Sequence, residues 1–124
     1  MVVRIGVMTV VSIAASVAMA SCSDDSDSGL PMTTGQQVVL DAGCTSCHGP
    51  NGEGGAGPAW KGLYGSEVKL ADGSTVIADE AYLTESIRNP SAKKVANYGV
   101  MPANSLNDAE IEAVVEFIKS LQAP

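Results

Sequence analysis

The sequence is poor in the side chains from which a small domain usually builds its core. Its 124 residues include one Trp, one Phe and three Tyr. This length fits a single domain, and a small domain with few aromatic side chains usually needs disulfides, a metal or a cofactor to complete its interior. The composition therefore favours a bound group that adds apolar bulk.

Positive charge is also scarce. Seven Lys and Arg residues stand against 14 Asp and Glu residues, which gives a formal net charge of -7. Such a chain is a poor match for the phosphates of nucleic acid or for anionic lipid, so we expect no nucleic-acid partner. The same charge argues against a basic docking surface and predicts an apolar or acidic one.

The apolar run near the N-terminus is too short to span a bilayer stably. Arg4 precedes the run, which covers residues 7–17, and small residues follow it at positions 18, 20 and 21. This order is typical of an export signal. We expect residues 1–21 to be removed and the protein to act outside the cytoplasm.

The signal ends in Met19-Ala20-Ser21-Cys22, which resembles the site where bacterial lipoproteins are cut and acylated on cysteine. Residues 22–34 are acidic and serine-rich, so we expect a flexible tether between a lipidated Cys22 and a folded domain over residues 35–124. Cleavage after Ala20, at an A-x-A site, would instead release a soluble protein. We favour the lipoprotein because a free, exposed Cys22 would be open to oxidation, and its acyl chains would hold the protein at a membrane.

Three helices and a hairpin are predicted in the folded part. The first helix runs from about Thr34, its expected cap, to Cys44. A turn signal predicts a small hairpin over residues 69–76. A second helix runs from about Asp79 to Arg88. The last begins with a capping box between Asn107 and Glu110. Its apolar residues recur at helical spacing: Ile111, Val114, Val115, Ile118 and Leu121.

Histidine occurs once, and its position is informative. Cys44-Thr45-Ser46-Cys47-His48 is a C-x-x-C-H sequence, the attachment signature of haem c. Its two thiols must reach two vinyl groups on neighbouring pyrroles, and the adjacent histidine then lies under the iron. We therefore expect Cys44 and Cys47 to bind one haem covalently and His48 to ligate its iron.

Three other uses of this motif compete with haem attachment. A thioredoxin-type redox pair requires a βαβ context, which is missing here. A zinc site requires four ligands, and no second Cys/His cluster is present in the sequence. A disulfide between Cys44 and Cys47 would close a very short ring.

Two methionines of the mature chain could supply the second axial ligand. Met32 precedes the first predicted helix, whereas Met101 lies far from His48 in an irregular stretch and precedes Pro102. A thioether is a soft ligand that suits haem iron and raises its reduction potential. We expect Met101 to bind the iron, although a methionine can equally fill a gap in a core.

Together, the C-x-x-C-H motif, the glycine-rich loop, Gly57-Pro58, Met101-Pro102 and the capped last helix resemble class I cytochrome c over residues 35–121. The resemblance implies an all-α fold of three to four helices around one covalent haem c. More narrowly, residues 57–65, 70–74 and 79–93 resemble the cytochrome c domain fused to subunit II of bacterial haem-copper oxidases. The sequence departs from that subunit in having no copper-binding domain and no transmembrane hairpin.

The resemblance also implies roles for single residues. The carbonyl of Pro58 would accept a hydrogen bond from His48 and fix its ring. Trp60, Leu63 and Tyr64 would pack near the haem edge, although ordinary core packing explains them as well.

The function implied is single-electron transfer without catalysis, from a quinol-oxidising complex or another donor to a terminal oxidase or reductase. Two alternatives remain open at this point. An iron site that Met101 leaves open would suit a peroxidase or a gas sensor. A haem-bearing subunit of a larger oxidase complex would fit the predicted anchor and tether equally well.

Overall fold

The computed structural model describes residues 33–122 of the chain. This part contains four helices and two strands: α1 (Thr34–Asp41), α2 (Thr45–His48), β1 (Glu67–Lys69), β2 (Thr75–Ile77), α3 (Glu80–Arg88) and α4 (Asp108–Ser120). None of these helices has the length and apolar character needed to cross a membrane. The predicted signal (residues 1–21), Cys22, Met32 and most of the predicted tether lie outside the described residues.

Helix α1 begins at Thr34, as predicted, but its cap differs. Its cap is Thr33 rather than Thr34, because Thr33 shares a reciprocal capping box with Gln36. The helix also ends before Cys44. Gly43 adopts a φ of 72°, a left-handed conformation that glycine takes without penalty, and this residue turns the chain into α2.

The N-terminal end of α1 packs directly against α4. Gly35 is buried at this contact, and a Cβ atom placed on it would lie 2.6 Å from Cβ of Phe117 and closer still to the carbonyl oxygen of Ala113. The two backbones therefore approach as closely as they do because residue 35 has no side chain. Phe117, which the apolar stripe of α4 did not include, is buried here as well.

The predicted starts of α3 and α4 are confirmed. The Asp79 side chain accepts a hydrogen bond from the Tyr82 amide, 2.8 Å away, and Asn107 forms the expected capping box with Glu110. The predicted stripe of α4 is buried apart from the half-buried Leu121 at its end. The core residues are Val39, Trp60, Val68, Leu70, Ala78, Tyr82, Leu83, Ile87, Ile111, Val114, Val115, Phe117 and Ile118.

The all-α expectation is confirmed only in part, because the chain also forms a two-stranded antiparallel sheet. Glu67 pairs with Ile77, and Lys69 pairs with Thr75. The turn between the strands is stabilised by Asp72, whose carboxylate accepts hydrogen bonds from the amide and hydroxyl of Ser74. The hairpin foreseen over residues 69–76 is therefore present and begins two residues earlier.

The hairpin also holds the chain that leads towards Met101. Leu70 bridges to Val95, the Ala71 amide donates to the carbonyl of Lys94, and the Ala96 amide donates to the carbonyl of Lys69. Residues 94–96 thus run beside the end of β1 and the residues that follow it, which fixes the start of the irregular stretch before α4.

Candidate cofactor site

The C-x-x-C-H motif lies on a single helical turn. Cys44 is the N-cap of α2, and Cys47 and His48 are in its last positions. Both the Cys47 and the His48 amides donate to the carbonyl of Cys44, at 3.2 and 3.1 Å. Residues three and four positions apart lie on one side of a helical turn, so the spacing of the motif places both thiols and the imidazole on one side. All three residues are half-buried.

The ring of His48 is held by a backbone carbonyl. Nδ1 of His48 lies 2.7 Å from the carbonyl oxygen of Pro58. A carbonyl only accepts, so Nδ1 carries the proton of the neutral ring and Nε2 keeps a free lone pair. Burial lowers the pKa of His48, and the hydrogen bond to Pro58 opposes that shift in part. The neutral form, which can ligate a metal, is therefore favoured.

Two further residues confine the same ring. The indole of Trp60 stacks on His48, with ring centroids 4.6 Å apart and planes inclined by 19°. On another side, a Cβ atom added to Gly57 would lie 2.8 Å from Cε1 of His48. The glycine-rich loop therefore includes at least one position, Gly57, where close approach to His48 requires glycine.

An apolar cavity opens beside His48. Of the residues predicted for the site, Cys44, His48, Pro58, Trp60, Leu63 and Met101 line it. The side chains that sequence reasoning did not assign to this site come mainly from α3, α4 and the stretch between them: Tyr82, Leu83, Ser86, Ile87, Pro90, Lys93, Lys94, Val95, Tyr98, Gly99, Asn104, Leu106, Val114 and Ile118. The sequence predicted an apolar stripe on α4, but not that Val114 and Ile118 of this stripe face a cavity.

Tyr64 and Cys47 are not among the lining residues. The Tyr64 ring instead lies under the ammonium group of Lys119, whose Nζ is 5.5 Å from the ring centroid. The Tyr64 carbonyl accepts a hydrogen bond from Gln122. The structure thus places the Tyr64 ring beside the end of α4.

Met101 lies on the cavity wall and is half-buried. It shares the cavity with His48 although the two residues are 53 positions apart in the sequence. Its segment, residues 99–106, has no regular secondary structure. The fold therefore brings an imidazole and a thioether, both ligands that haem iron accepts, to one apolar space.

The cavity carries little charge. Lys93 and Lys94 are the charged residues that line it, and Lys93 is paired with Glu85. No Asp or Glu of residues 33–122 belongs to the lining. Burial raises the pKa of the Cys44 thiol. Such an environment suits a flat, largely apolar ligand that is bound through sulfur and nitrogen.

Comparison with known proteins agrees with this geometry. The cytochrome c family matches residues 32–122. The chain is also 32% identical over 91 residues to the cbb3-type cytochrome c oxidase subunit CcoP of Helicobacter pylori (strain 52). That match covers 71% of this chain and 27% of the relative, so the chain spans about a quarter of the relative's length.

Proposed function

Because the chain belongs to the cytochrome c family, we propose that it carries single electrons outside the cytoplasmic membrane, in a respiratory chain that ends in an oxidase or a reductase. Family membership implies haem c as the covalent cofactor, with Cys44, Cys47 and His48 as its attachment sequence. When bound, the haem supplies an iron that takes up and releases one electron. The side chains around it determine how the iron is held and what is kept away from it.

The residues present fit this cofactor. The walls of the cavity are mainly apolar, and the thiol of Cys44 and the imidazole of His48 lie at its edge. Gly57 leaves room beside His48 that any side chain would fill. Cys44 and Cys47 would form the two thioether bonds, and Nε2 of His48 would bind the iron.

Pro58 and Trp60 would orient the proximal ligand. The carbonyl of Pro58 fixes the proton on Nδ1, and the stacked indole of Trp60 restricts rotation of the ring. A histidine that is held in this way keeps its tautomer and its direction while the charge of the site changes. That constancy suits electron transfer, because little has to rearrange.

The observation that carries the proposal is that Met101 and His48 line the same apolar cavity. Met101 would provide the second axial ligand, so that both axial ligands come from the chain. A site closed in this way excludes small ligands, whereas a peroxidase or gas sensor needs an open position. A peroxidase also needs a group that handles protons, and His48, the one histidine in the sequence, is used for the iron.

Optical spectra of the matured protein test this assignment. We expect a c-type reduced spectrum, a weak sulfur-to-iron band at the red end of the oxidised spectrum, and no rapid reaction of the reduced protein with carbon monoxide. Met101→Ala should lose the band, and Met32→Ala is the matched control that should keep it. Rapid carbon monoxide binding by the unaltered protein would favour the sensor or peroxidase, and absence of covalent haem would refute the proposal as a whole.

The relative directs attention to a terminal oxidase as the electron acceptor. Its name identifies a subunit of a cbb3-type oxidase, and a quinol-oxidising complex would be the matching donor. The chain would act either as a separate carrier or as a haem-bearing subunit of a larger oxidase. Purification of the tagged protein from its native membranes distinguishes the two, because a subunit would co-purify with the oxidase in fixed ratio. The narrower resemblance to a subunit II domain stays a prediction.

We also propose that the protein is a lipoprotein, anchored through Cys22 on the outer face of a membrane. A tether of about a dozen residues spans on the order of 20 Å, which would keep the haem domain close to membrane partners. Mass spectrometry of the mature N-terminus tests this, because acylated Cys22 and a soluble chain beginning at Ser21 differ in mass. Cys22→Ser should move the protein from the membrane to the soluble fraction.

A docking surface of apolar or acidic character remains our expectation. Val100, next to Met101, is 57% exposed and would offer apolar contact. Lys94 also lines the cavity and has no ion pair within residues 33–122. We therefore expect no strong electrostatic attraction to an acidic partner. Electron transfer to an acidic acceptor that is fast at low ionic strength and falls steeply with added salt, as for a basic carrier, would contradict this expectation.

A further inference from the structure

The segment that carries Met101 has almost no hydrogen bonds of its own. Within residues 33–122, no backbone-to-backbone hydrogen bond begins or ends in residues 99–106. The stretch is bounded by Tyr98, whose amide donates to Val95, and by the cap of α4 at Asn107. The ladders that hold helices and strands in place are thus missing where the distal ligand is carried.

Among the described residues, Asn104 makes the two hydrogen bonds found in this segment. Its amide nitrogen donates to the carbonyl of Ile87 at 2.7 Å, and its amide oxygen accepts from the Leu106 amide at 3.2 Å. The first bond crosses from the segment to another element, and the second shapes the turn towards α4. Asn104 also lies on the wall of the cavity that contains Met101.

The partner of the first bond is a carbonyl at the end of a helix. Ile87 is the next-to-last residue of α3. The last four carbonyls of a helix accept no hydrogen bond from amides of the same helix. Asn89-Pro90 ends this helix, and Pro90 has no amide hydrogen to offer. Asn104 therefore satisfies a helix-end carbonyl and at the same time attaches its own segment to α3.

This attachment matters because Ile87 and Leu83 of α3 are buried residues of the cavity wall. A bond from Asn104 to the Ile87 carbonyl therefore fixes the Met101 segment relative to the wall of the cavity itself. We infer that Asn104 is the positioning residue for Met101: its hydrogen bond to Ile87 holds the sulfur ligand over the cavity and keeps the site closed. This inference rests on the proposed function, in which Met101 binds the iron.

The magnitude follows from the strength of one hydrogen bond. An intramolecular hydrogen bond of ordinary net strength corresponds to about a two- to tenfold change in an equilibrium. Loss of the bond should raise the population in which Met101 has left the iron by that factor. The sulfur-to-iron band comes from the majority of molecules, in which Met101 is bound, so it would change little. Carbon monoxide binds only when Met101 has left the iron, so its rate of uptake by the reduced protein is the sensitive measurement.

Two substitutions separate the bond from the rest of the side chain. Asn104→Ala removes both hydrogen bonds. Asn104→Asp keeps an oxygen that accepts from Leu106 but cannot donate to the Ile87 carbonyl when ionised. Asn107→Ala is the control, because it removes the cap of α4 close by in the sequence and lowers stability without touching the bond to Ile87.

All four matured proteins are compared for their oxidised spectra, thermal unfolding and carbon monoxide uptake. The inference predicts uptake about two- to tenfold faster in both Asn104 variants than in the unaltered protein, and an unchanged rate in Asn107→Ala. The inference is wrong if Asn104→Asp takes up carbon monoxide at the rate of the unaltered protein. It is also wrong if all three variants take it up faster by the same factor. In either case the band of the unaltered protein would leave the proposed function standing. An unaltered protein without that band would overturn both.

Discussion

The contact between α1 and α4 allows a quantitative prediction for Gly35→Ala. The new methyl group would lie 2.6 Å from Cβ of Phe117, well short of the 3.4 Å at which ordinary contact begins, and nearer still to the Ala113 carbonyl oxygen. The Ala113 obstacle is backbone, so it cannot move aside as a flexible side chain would. The helices must separate, and buried contacts along both are weakened.

The expected loss in the free energy of unfolding is the balance of two effects. Overpacking a well-filled core usually costs about 1–3 kcal/mol and occasionally more. Alanine is the better helix former by about 1 kcal/mol, which offsets part of the cost. Since backbone blocks the methyl group, we place the overpacking at the upper end and expect a net loss of about 2 kcal/mol. For a domain of this size that corresponds to a fall in Tm of about 8–16 °C.

Thermal unfolding of the matured protein, followed by far-ultraviolet circular dichroism, measures this loss. Gln37→Ala is the matched control, because it introduces the same residue on the exposed side of the same helix and should change stability by no more than about 0.5 kcal/mol. An unchanged or higher Tm for Gly35→Ala would show that α1 and α4 do not cross as closely as described.

Three further predictions concern the caps, the hairpin and the surface. Replacement of either cap, Asp79→Ala or Asn107→Ala, should lower stability by about 1 kcal/mol in denaturant titrations, since each leaves a helix-start amide without its partner. Hydrogen bonds from Ser74 lower the pKa of Asp72 in the folded protein below its ordinary value of 3.8. The ionised carboxylate therefore stabilises the fold above pH 3.8, and this stabilisation is lost as the pH falls through the lowered pKa. Asp72→Ala should reduce Tm at neutral pH and have little effect in strong acid. Arg88→Ala breaks an ion pair with Asp108 whose side chains are 54% and 89% exposed, and unfolding should reveal a loss of less than about 1 kcal/mol; a loss of several kcal/mol would mean that the pair is far less solvated than its exposure indicates.

What the sequence could predict was local. The start of α4 follows from Asn107 and Glu110 three residues apart, and the one-turn geometry of the C-x-x-C-H motif follows from its spacing. Such features depend on neighbours along the chain. Sequence periodicity also identified most of the buried stripe of α4, because a helix has only one way to present residues at that spacing.

What could not be predicted depends on contacts between distant parts of the chain. Phe117 lies at the edge of the α4 stripe, three positions after Val114, but its contact with α1 at Gly35 joins parts of the chain that are far apart in the sequence. The contact between the Tyr64 ring and Lys119 of α4 likewise joins residues far apart in the sequence. Asn104 looked like one polar residue in an irregular stretch, and its partner, the carbonyl of Ile87, is 17 positions away. No pattern in a single sequence records such pairs.

The stacking of Trp60 on His48 has a practical consequence for fluorescence. Trp60 is the one tryptophan of the sequence and is 6% exposed, so all indole emission of the protein comes from the ring that stacks on His48. A haem beside that ring would quench the emission by energy transfer. Unfolding would separate the two and restore the signal. The protein therefore contains its own optical reporter of the packing around His48, and folding kinetics at this position can be followed without adding a label.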